Sequence, residues 1–341
     1  MSNNNSTSGI PVVAARGLRN QTQLAALNAA AKYFTRDQLR SAAVSTGITL
    51  AYTLHGSSLM GADGKLLPED RVVLIMGFLQ PKESWAPIID LLLAKYAARG
   101  TRNVRVLAFD NRGVGGSSAP WWRYTTSQMA QDALALMDHV GWDAANIVGI
   151  SMGGMISLEL AAAAPQRVKS LSLMVTTRGK SEADPRSSGP LRKSMFSKDP
   201  VEAVTNLLEL LYPLDSLRAN RMDDTGRTIY DTLFEYHTAE RAQRTKPGII
   251  GMIGQVLAIR THFVSDERLA GIRDAGFPVL LIGAMCDILI PSVESVKLKE
   301  RMDAPHVHTL FFEHGGHGVT IQFVDEVTDG LVATLQRASK L

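Results

Sequence analysis

Between residues 71 and 176 the chain alternates four short apolar, β-branched runs with three stretches of helical period. "RVVLIMG" (71–77) precedes "SWAPIIDLLLAKYAARG", and "VRVLAFD" (104–110) precedes "TSQMAQDALALMDHVG". "NIVGIS" (146–151) precedes "MISLELAAAAP", where Pro165 stops the helix, and "VKSLSLMVT" (168–176) closes the series. Strands that read as continuous apolar runs are buried on both faces, and parallel neighbours need long crossovers between them. The alternation therefore predicts βαβ units: a mostly parallel sheet covered by helices on both sides.

The rhythm breaks over residues 177–276. Helical stretches such as "PVEAVTNLLELLYPL" and "RTIYDTLFEYHTAERAQ" occur there, and no convincing strand. It resumes with "FPVLLIGA" (277–284), helical "SVESVKLKERM", strand "VHTLFFE" and a last helix from about Val319. A helical insertion between two parallel strands makes a cap over the sheet's C-terminal edge, where open α/β sheets bind ligands. The expected organisation is a polar tail and helix over 1–44, a core over 45–176 and 277–338, and a cap over 177–276. Within the first part, "NQTQLAALNAAAKYF" reads as one helix, and "GITLAYTLHG" as a strand or hairpin just beyond it.

Composition narrows the function classes. A net charge of +3 with scattered basic residues gives no nucleic-acid surface, and no apolar run reaches the roughly 18 residues that span a bilayer. Cys286 is the single cysteine, which excludes intrachain disulfides and fits a reducing compartment. The opening "MSNNNSTSG" has the composition of disorder and lacks the apolar core of a secretory signal, so the Asn5 and Asn20 sequons carry no meaning. The chain ends in Ser339-Lys340-Leu341, the peroxisomal import tripeptide. The expected partner is the import receptor and the expected location a peroxisome or glycosome. The cytoplasm is the alternative. A mitochondrial address stands behind both, on the strength of Arg16, Arg19, Lys32 and Arg36 preceding the first acidic residue, Asp37.

The chemistry gathers at strand ends. "VGISMGG" places Gly149-x-Ser151-x-Gly153 between a strand and a helix. A nucleophile on such a turn sits in a strained backbone, and small residues two before and two after it let strand and helix pass closely. The helix N-terminus then offers free N–H groups to negative charge. A serine needs a base and the base an orienting acid. Asp287 lies just beyond the strand "PVLLIGA", and "FFEHGGHGVT" offers two histidines, His314 and His317, beyond the next. Serine, acid, histidine is the chain order this architecture uses.

With these motifs, and with "DNRGVGGSS" (110–118) similar to a D-x-R-G-x-G-x-S turn, the chain resembles the α/β-hydrolase superfamily of the esterase, lipase and C–C hydrolase type, over about residues 45–335. The resemblance implies that His317, which follows two glycines, is the base rather than His314, with Gly315 and Gly316 folding its loop back toward Ser151. It implies an oxyanion hole from the N–H groups of Met152 and Phe78, although Met76-Gly77 stands where relatives often carry His-Gly. It makes Asp110 and Arg112 ties of their own loop and Trp85 a packing residue.

Other groups carry less. His306 and His308 lack metal-ligand partners, Asp274 lies at the wrong end of its strand, and Cys286 has no base. Trp121 and Trp122 line an entrance or cover core, and Gln255 and His262 pack in the cap or face substrate. No cofactor or metal signature is present in the sequence. The expected function is a serine hydrolase acting on hydrophobic or lipid-like carboxylic esters as small-molecule substrates. A C–C bond hydrolase with the same triad, or a slow-turnover receptor of the same fold, is the alternative.

Overall fold

The computed structural model describes residues 10–56, 58–61, 63–121, 123–182 and 184–341. Asn5 with its polar tail, and Trp122, lie outside these. The strands are β1 (Val12–Val13), β2 (Arg40–Ala43), β3 (Thr49–His55), β4 (Glu69–Ile75), β5 (Asn103–Phe109), β6 (Ala145–Ile150), β7 (Val168–Met174), β8 (Val279–Ala284) and β9 (Val307–Phe312). They form one sheet in the order β1-β9-β8-β7-β6-β4-β5-β3-β2. Only the β2–β3 and β3–β5 pairs are antiparallel. The mostly parallel sheet expected from the sequence is present.

Side-chain alternation explains the two covered faces. Val73 and Ile75 of β4 enter one apolar cluster, with the helices Thr126–His139 and Met152–Ala163. Val72 and Leu74 enter the other, with Ala86–Arg99 and Val324–Ala338. Every one of these four strand side chains is at most 1 % exposed. Burial of each contributes about 1.5–3 kcal/mol, so the sheet interior anchors the strand ends that carry the chemistry.

The strand order turns at β4, which has β5 on one side and β6 on the other. Loops leaving such a switch point diverge and open a crevice beyond the carboxyl ends of the strands. The turn after β4 and Ser151 after β6 both lie at this crevice, because Ile75 is paired in register with Gly149.

Among the described residues six α-helices lie between β7 and β8, from Ser188–Phe196 to Asp266–Asp274. Those in the middle build a third, smaller apolar cluster around Leu208, Tyr212 and Leu233, joined by Leu18 and Leu27 from the N-terminal segment. The last helix differs. Its Leu269 and Ile272 are fully buried in the main core, so the sheet-covering layer takes one helix from the segment that the sequence reading assigned to the cap.

Two N-terminal features depart from expectation. The predicted helix over 20–34 is two helices, Gln21–Leu27 and Ala30–Tyr33, the first closed by a capping box between Asn20 and Gln23. Asn20 is thus a helix cap. Before it, Val12 and Val13 pair in parallel with Phe311 and Phe312 of β9. The segment read as a strand or hairpin is the single strand β3, which pairs with β2 ahead of it.

Candidate active site

Ser151 follows β6 and precedes the helix Met152–Ala163 with φ 55° and ψ −121°. A left-handed φ at a residue with a side chain costs about 1–3 kcal/mol and persists only where its surroundings enforce it. Here the Ser151 N–H donates to Met174 O at 2.9 Å, and Thr176 Oγ1 donates to Ser151 O at 2.7 Å. The two glycines are explained by close approach. A Cβ on Gly149 would run into Gly153 O and Ser157 Oγ, and one on Gly153 into Ile75 O. Among the described residues Ser151 Oγ makes no hydrogen bond, which leaves it free for a ligand.

The turn after β4 lies directly over the serine: a Cβ on Gly77 would stand 3.2 Å from Ser151 Cβ. The N–H groups of Phe78 and Met152 have no other partner among the described residues. The geometry thus supplies two unpaired donors beside one unpaired hydroxyl, at the positive end of a helix.

Asp287 and His317 meet. His317 Nδ1 and Asp287 Oδ2 are 2.7 Å apart, and both residues are buried, at 8 % and 6 % exposure. Asp287 Oδ1 accepts the N–H groups of Leu289 and Ile290 at 2.8 and 3.0 Å. With the carboxylate so occupied, Nδ1 is the protonated nitrogen and Nε2 carries the free lone pair. The two loops are tied together by Met285 N–H to Phe312 O and Cys286 N–H to Gly315 O.

The two glycines of the histidine loop are required by packing, not by backbone angle. Neither Gly315 nor Gly316 has a positive φ. They are required because neighbours come close: a Cβ on Gly315 would lie 2.8 Å from Phe312 Cβ, and one on Gly316 would meet the Leu211 carbonyl of the helical insert. The Gly318 N–H also donates to Leu211 O at 3.0 Å. Gln322 completes the brace, accepting from Gly316 N–H at 3.1 Å and donating to His314 O at 2.8 Å. His314 itself is exposed on a 450 Å³ groove with Arg16, Arg19 and Arg221, away from the serine.

The other candidates have structural partners. Asp110, fully buried, accepts from Lys82 N–H, Lys82 Nζ and Gly116 N–H at 2.8–3.0 Å. Burial alone would lower the Lys82 ammonium pKa, but the carboxylates of Asp110 and Glu83 outweigh it and raise it. Arg112 donates to Asp132 through Nε and Nη2, at 2.6 and 2.7 Å. Trp85 is fully buried and Trp121 is 75 % exposed. His306 Nε2–H donates to Arg273 O at 3.0 Å, and Asp274 pairs with Arg273. Cys286 is exposed. Among the described residues no cluster of three or more His, Cys, Asp or Glu could hold a metal, and no helix is long and apolar enough to cross a membrane.

Gln255 and His262 face protein. Gln255 is fully buried and bonds Leu79 and Arg112 backbone atoms. His262, 3 % exposed, contacts Thr126 Oγ1 at 2.9 Å and Thr177 O at 3.2 Å. Burial pushes its pKa down to about 4, opposed by the Thr177 bond and reinforced by Arg268. Its ring is therefore neutral at pH 7 despite Glu159 at 3.7 Å.

This has a consequence for acid stability. The unfolded ring binds a proton first, so stability is constant above pH 6.5 and falls as pH drops toward 4, by about 3 kcal/mol in all for His262. Buried His55, also near 4, adds a similar loss. Urea midpoints between pH 7.5 and 4.5 should fall steeply, and less steeply in His262→Gln. Equal slopes would contradict the assignment.

Gln322 does not stand out in the sequence as functional, and Gln255 reads there only as cap packing or a substrate-facing residue. Each is one amide in an apolar helical stretch, "GVTIQF" and "GMIGQVLAI". A lone glutamine among buried positions is the only signal, since such a side chain must find backbone partners.

Comparison with known proteins places this arrangement in a family. A "Putative carbamate hydrolase RutD" of Caulobacter vibrioides is 28% identical over 304 residues, covering 88% of this chain and all of the relative. In structure, the chain is similar to the enol-lactonase of Burkholderia xenovorans LB400, with a TM-score of 0.65 and 22% identity over 87% of this chain and 100% of that one. It is similar as well to a meta-cleavage product hydrolase of Pseudomonas fluorescens IP01, with a TM-score of 0.63 and 20% identity, over 88% of this chain and 98% of that one. At these identities the two structures speak for the fold alone. A family model described as alpha/beta hydrolase fold matches residues 70–323, and by that match the chain belongs to the α/β-hydrolase family.

Proposed function

We propose that the protein is a serine hydrolase of carboxylic esters. Ser151 Oγ attacks the carbonyl carbon as His317 Nε2 takes its proton, and Asp287 holds Nδ1–H and stabilises the imidazolium. The N–H groups of Phe78 and Met152 receive the oxyanion. Collapse of the tetrahedral intermediate breaks the ester C–O bond, the imidazolium protonates the departing alkoxide, and an acyl group remains on Ser151. Water, deprotonated by His317, then releases the acid and restores the serine.

The observation that carries the reading is the Asp287–His317 bond of 2.7 Å at the same sheet edge as the strained, unpaired Ser151. A carbamate is the second reading, favoured by the name of the Caulobacter relative and by its alignment over 88% of the chain. Its carbonyl carbon is open to the same attack.

The test is turnover of p-nitrophenyl esters from acetate to palmitate beside a p-nitrophenyl carbamate. A Ser151-dependent optimum among the esters is expected. Faster turnover of the carbamate moves the assignment to that class. No turnover of any substrate contradicts acyl hydrolysis and leaves the C–C hydrolase and receptor readings.

Peroxisomal import is a separate proposal, supported by the exposure of Leu341 (88 %) beyond the last helix. A reporter ending in Ser-Lys-Leu from this chain that stays diffuse in peroxisome-bearing cells would sink it.

A further inference from the structure

We infer that Gln255 is a positioning residue: from the cap it sets the turn that carries the Phe78 N–H, so that cap helix and oxyanion hole form one unit. The inference rests on the serine-hydrolase reading. Gln80 N–H donates to Gly77 O at 3.3 Å, which closes a four-residue turn with Phe78 and Leu79 at its centre. Leu79 has φ 53°, the left-handed value that the third residue of a type II turn requires and that glycine ordinarily supplies. A leucine prefers the type I form, in which the central peptide, carrying the Leu79 N–H, is flipped.

Two cap residues hold this turn, the first of them on the peptide that would flip. The Leu79 N–H donates to Gln255 Oε1 at 2.8 Å, inside the protein. The Leu79 carbonyl accepts from the Arg244 guanidinium, at the end of the helix Ile229–Gln243. Gln255 is itself fixed. Its Nε2 donates to Arg112 O at 2.9 Å, and Arg112 is locked onto Asp132 by two bonds. Its helix, Ile249–Thr261, is seated by two glycines, Gly251 one turn before Gln255 and Gly254 next to it. A Cβ on Gly251 would run into Gly113 O, and one on Gly254 would overlap the Tyr124 ring. Backbone contact of this kind leaves the amide little freedom to shift.

Without the Gln255 acceptor the central peptide relaxes, and the neighbouring Phe78 N–H loses its aim at the oxyanion. Removing an oxyanion donor outright costs about 10²- to 10³-fold in kcat, so displacing one should cost about 10- to 100-fold. The loss falls on the transition state and spares ground-state binding.

The experiment compares the wild-type protein, Gln255→Met, Arg244→Met and Ser151→Ala in ester turnover and in the rate of labelling by a fluorophosphonate, whose phosphoryl oxygen occupies the same hole. Gln255→Met should lower kcat and the labelling rate together by about 10- to 100-fold with KM nearly unchanged. Arg244→Met, on a partly exposed side chain, should act in the same direction and carries the test if Gln255→Met does not fold. Folded variants labelled at the wild-type rate, or with raised KM and intact kcat, overturn the positioning role alone. A wild-type protein that is not labelled, or a Ser151→Ala protein that is, overturns the hydrolase reading and the inference with it.

Discussion

Ser151→Ala is expected to hydrolyse esters about 10⁴- to 10⁶-fold more slowly than the wild-type protein, with its melting temperature unchanged. That is about 5–8 kcal/mol of transition-state stabilisation, the range seen when the nucleophile of a serine triad is removed. The size of the effect follows from how little else the hydroxyl does. Among the described residues Ser151 Oγ makes no hydrogen bond, while its backbone, held by Met174 and Thr176, supports the turn. Alanine keeps the backbone and removes only the attacking atom. The residual rate should come from the two N–H donors and from binding. A Ser151→Ala protein retaining more than about a tenth of the turnover would end the nucleophile assignment.

Asp110→Ala should cost about 3–5 kcal/mol of stability, the largest loss expected from any single polar side chain away from the serine. Asp110 is fully buried and collects three donors, while Lys82 beside it is 4 % exposed. Truncation leaves the Lys82 ammonium with only the partly exposed Glu83 carboxylate, at 2.9 Å. Two backbone N–H groups also lose their acceptor inside the protein, each at a cost of about 1–3 kcal/mol before relaxation. Lys82 deprotonation or water entry sets the upper limit. Urea unfolding of the two proteins at pH 7 measures the difference, and a loss below about 1 kcal/mol would show that the loop is held by packing alone.

How much of this was legible in the sequence depended on the range of the interactions. The strands at 71–77, 104–110, 146–151, 168–176, 277–284 and 307–313 announced themselves as short, mostly apolar runs, as parallel strands covered on both faces tend to be, although Ser170, Ser172, His308 and Thr309 interrupt two of them. Gly149 and Gly153 were legible for a local reason, since the strand–turn–helix crossing needs their missing side chains. The choice of His317 over His314 was not in the spacing: both follow the same strand, and the family resemblance decided it. In the structure, Asp287 is bonded to His317, and His314 faces the Arg16 groove.

What stayed hidden is held by partners far along the chain. Two residues, Val12 and Val13, are too short a run to read as a strand and form one only against Phe311 and Phe312. The helix over 20–34 breaks at Asn28–Ala29 although alanine-rich sequence favours continuation. Leu79 at φ 53° breaks the local rule for a leucine, and its compensation lies at Gln255 and Arg244, more than 160 positions away. Local rules fail there because the turn is held by those distant partners rather than by its own sequence.

The most direct test of the central claim is the intact mass of the protein quenched in acid during turnover of p-nitrophenyl butyrate, with peptide mapping of any adduct. The acyl-enzyme route predicts a butyryl increment on the peptide containing Ser151, formed in a burst and absent from Ser151→Ala. Steady turnover with no adduct at any quench time and no burst, or an adduct on another residue, would contradict it.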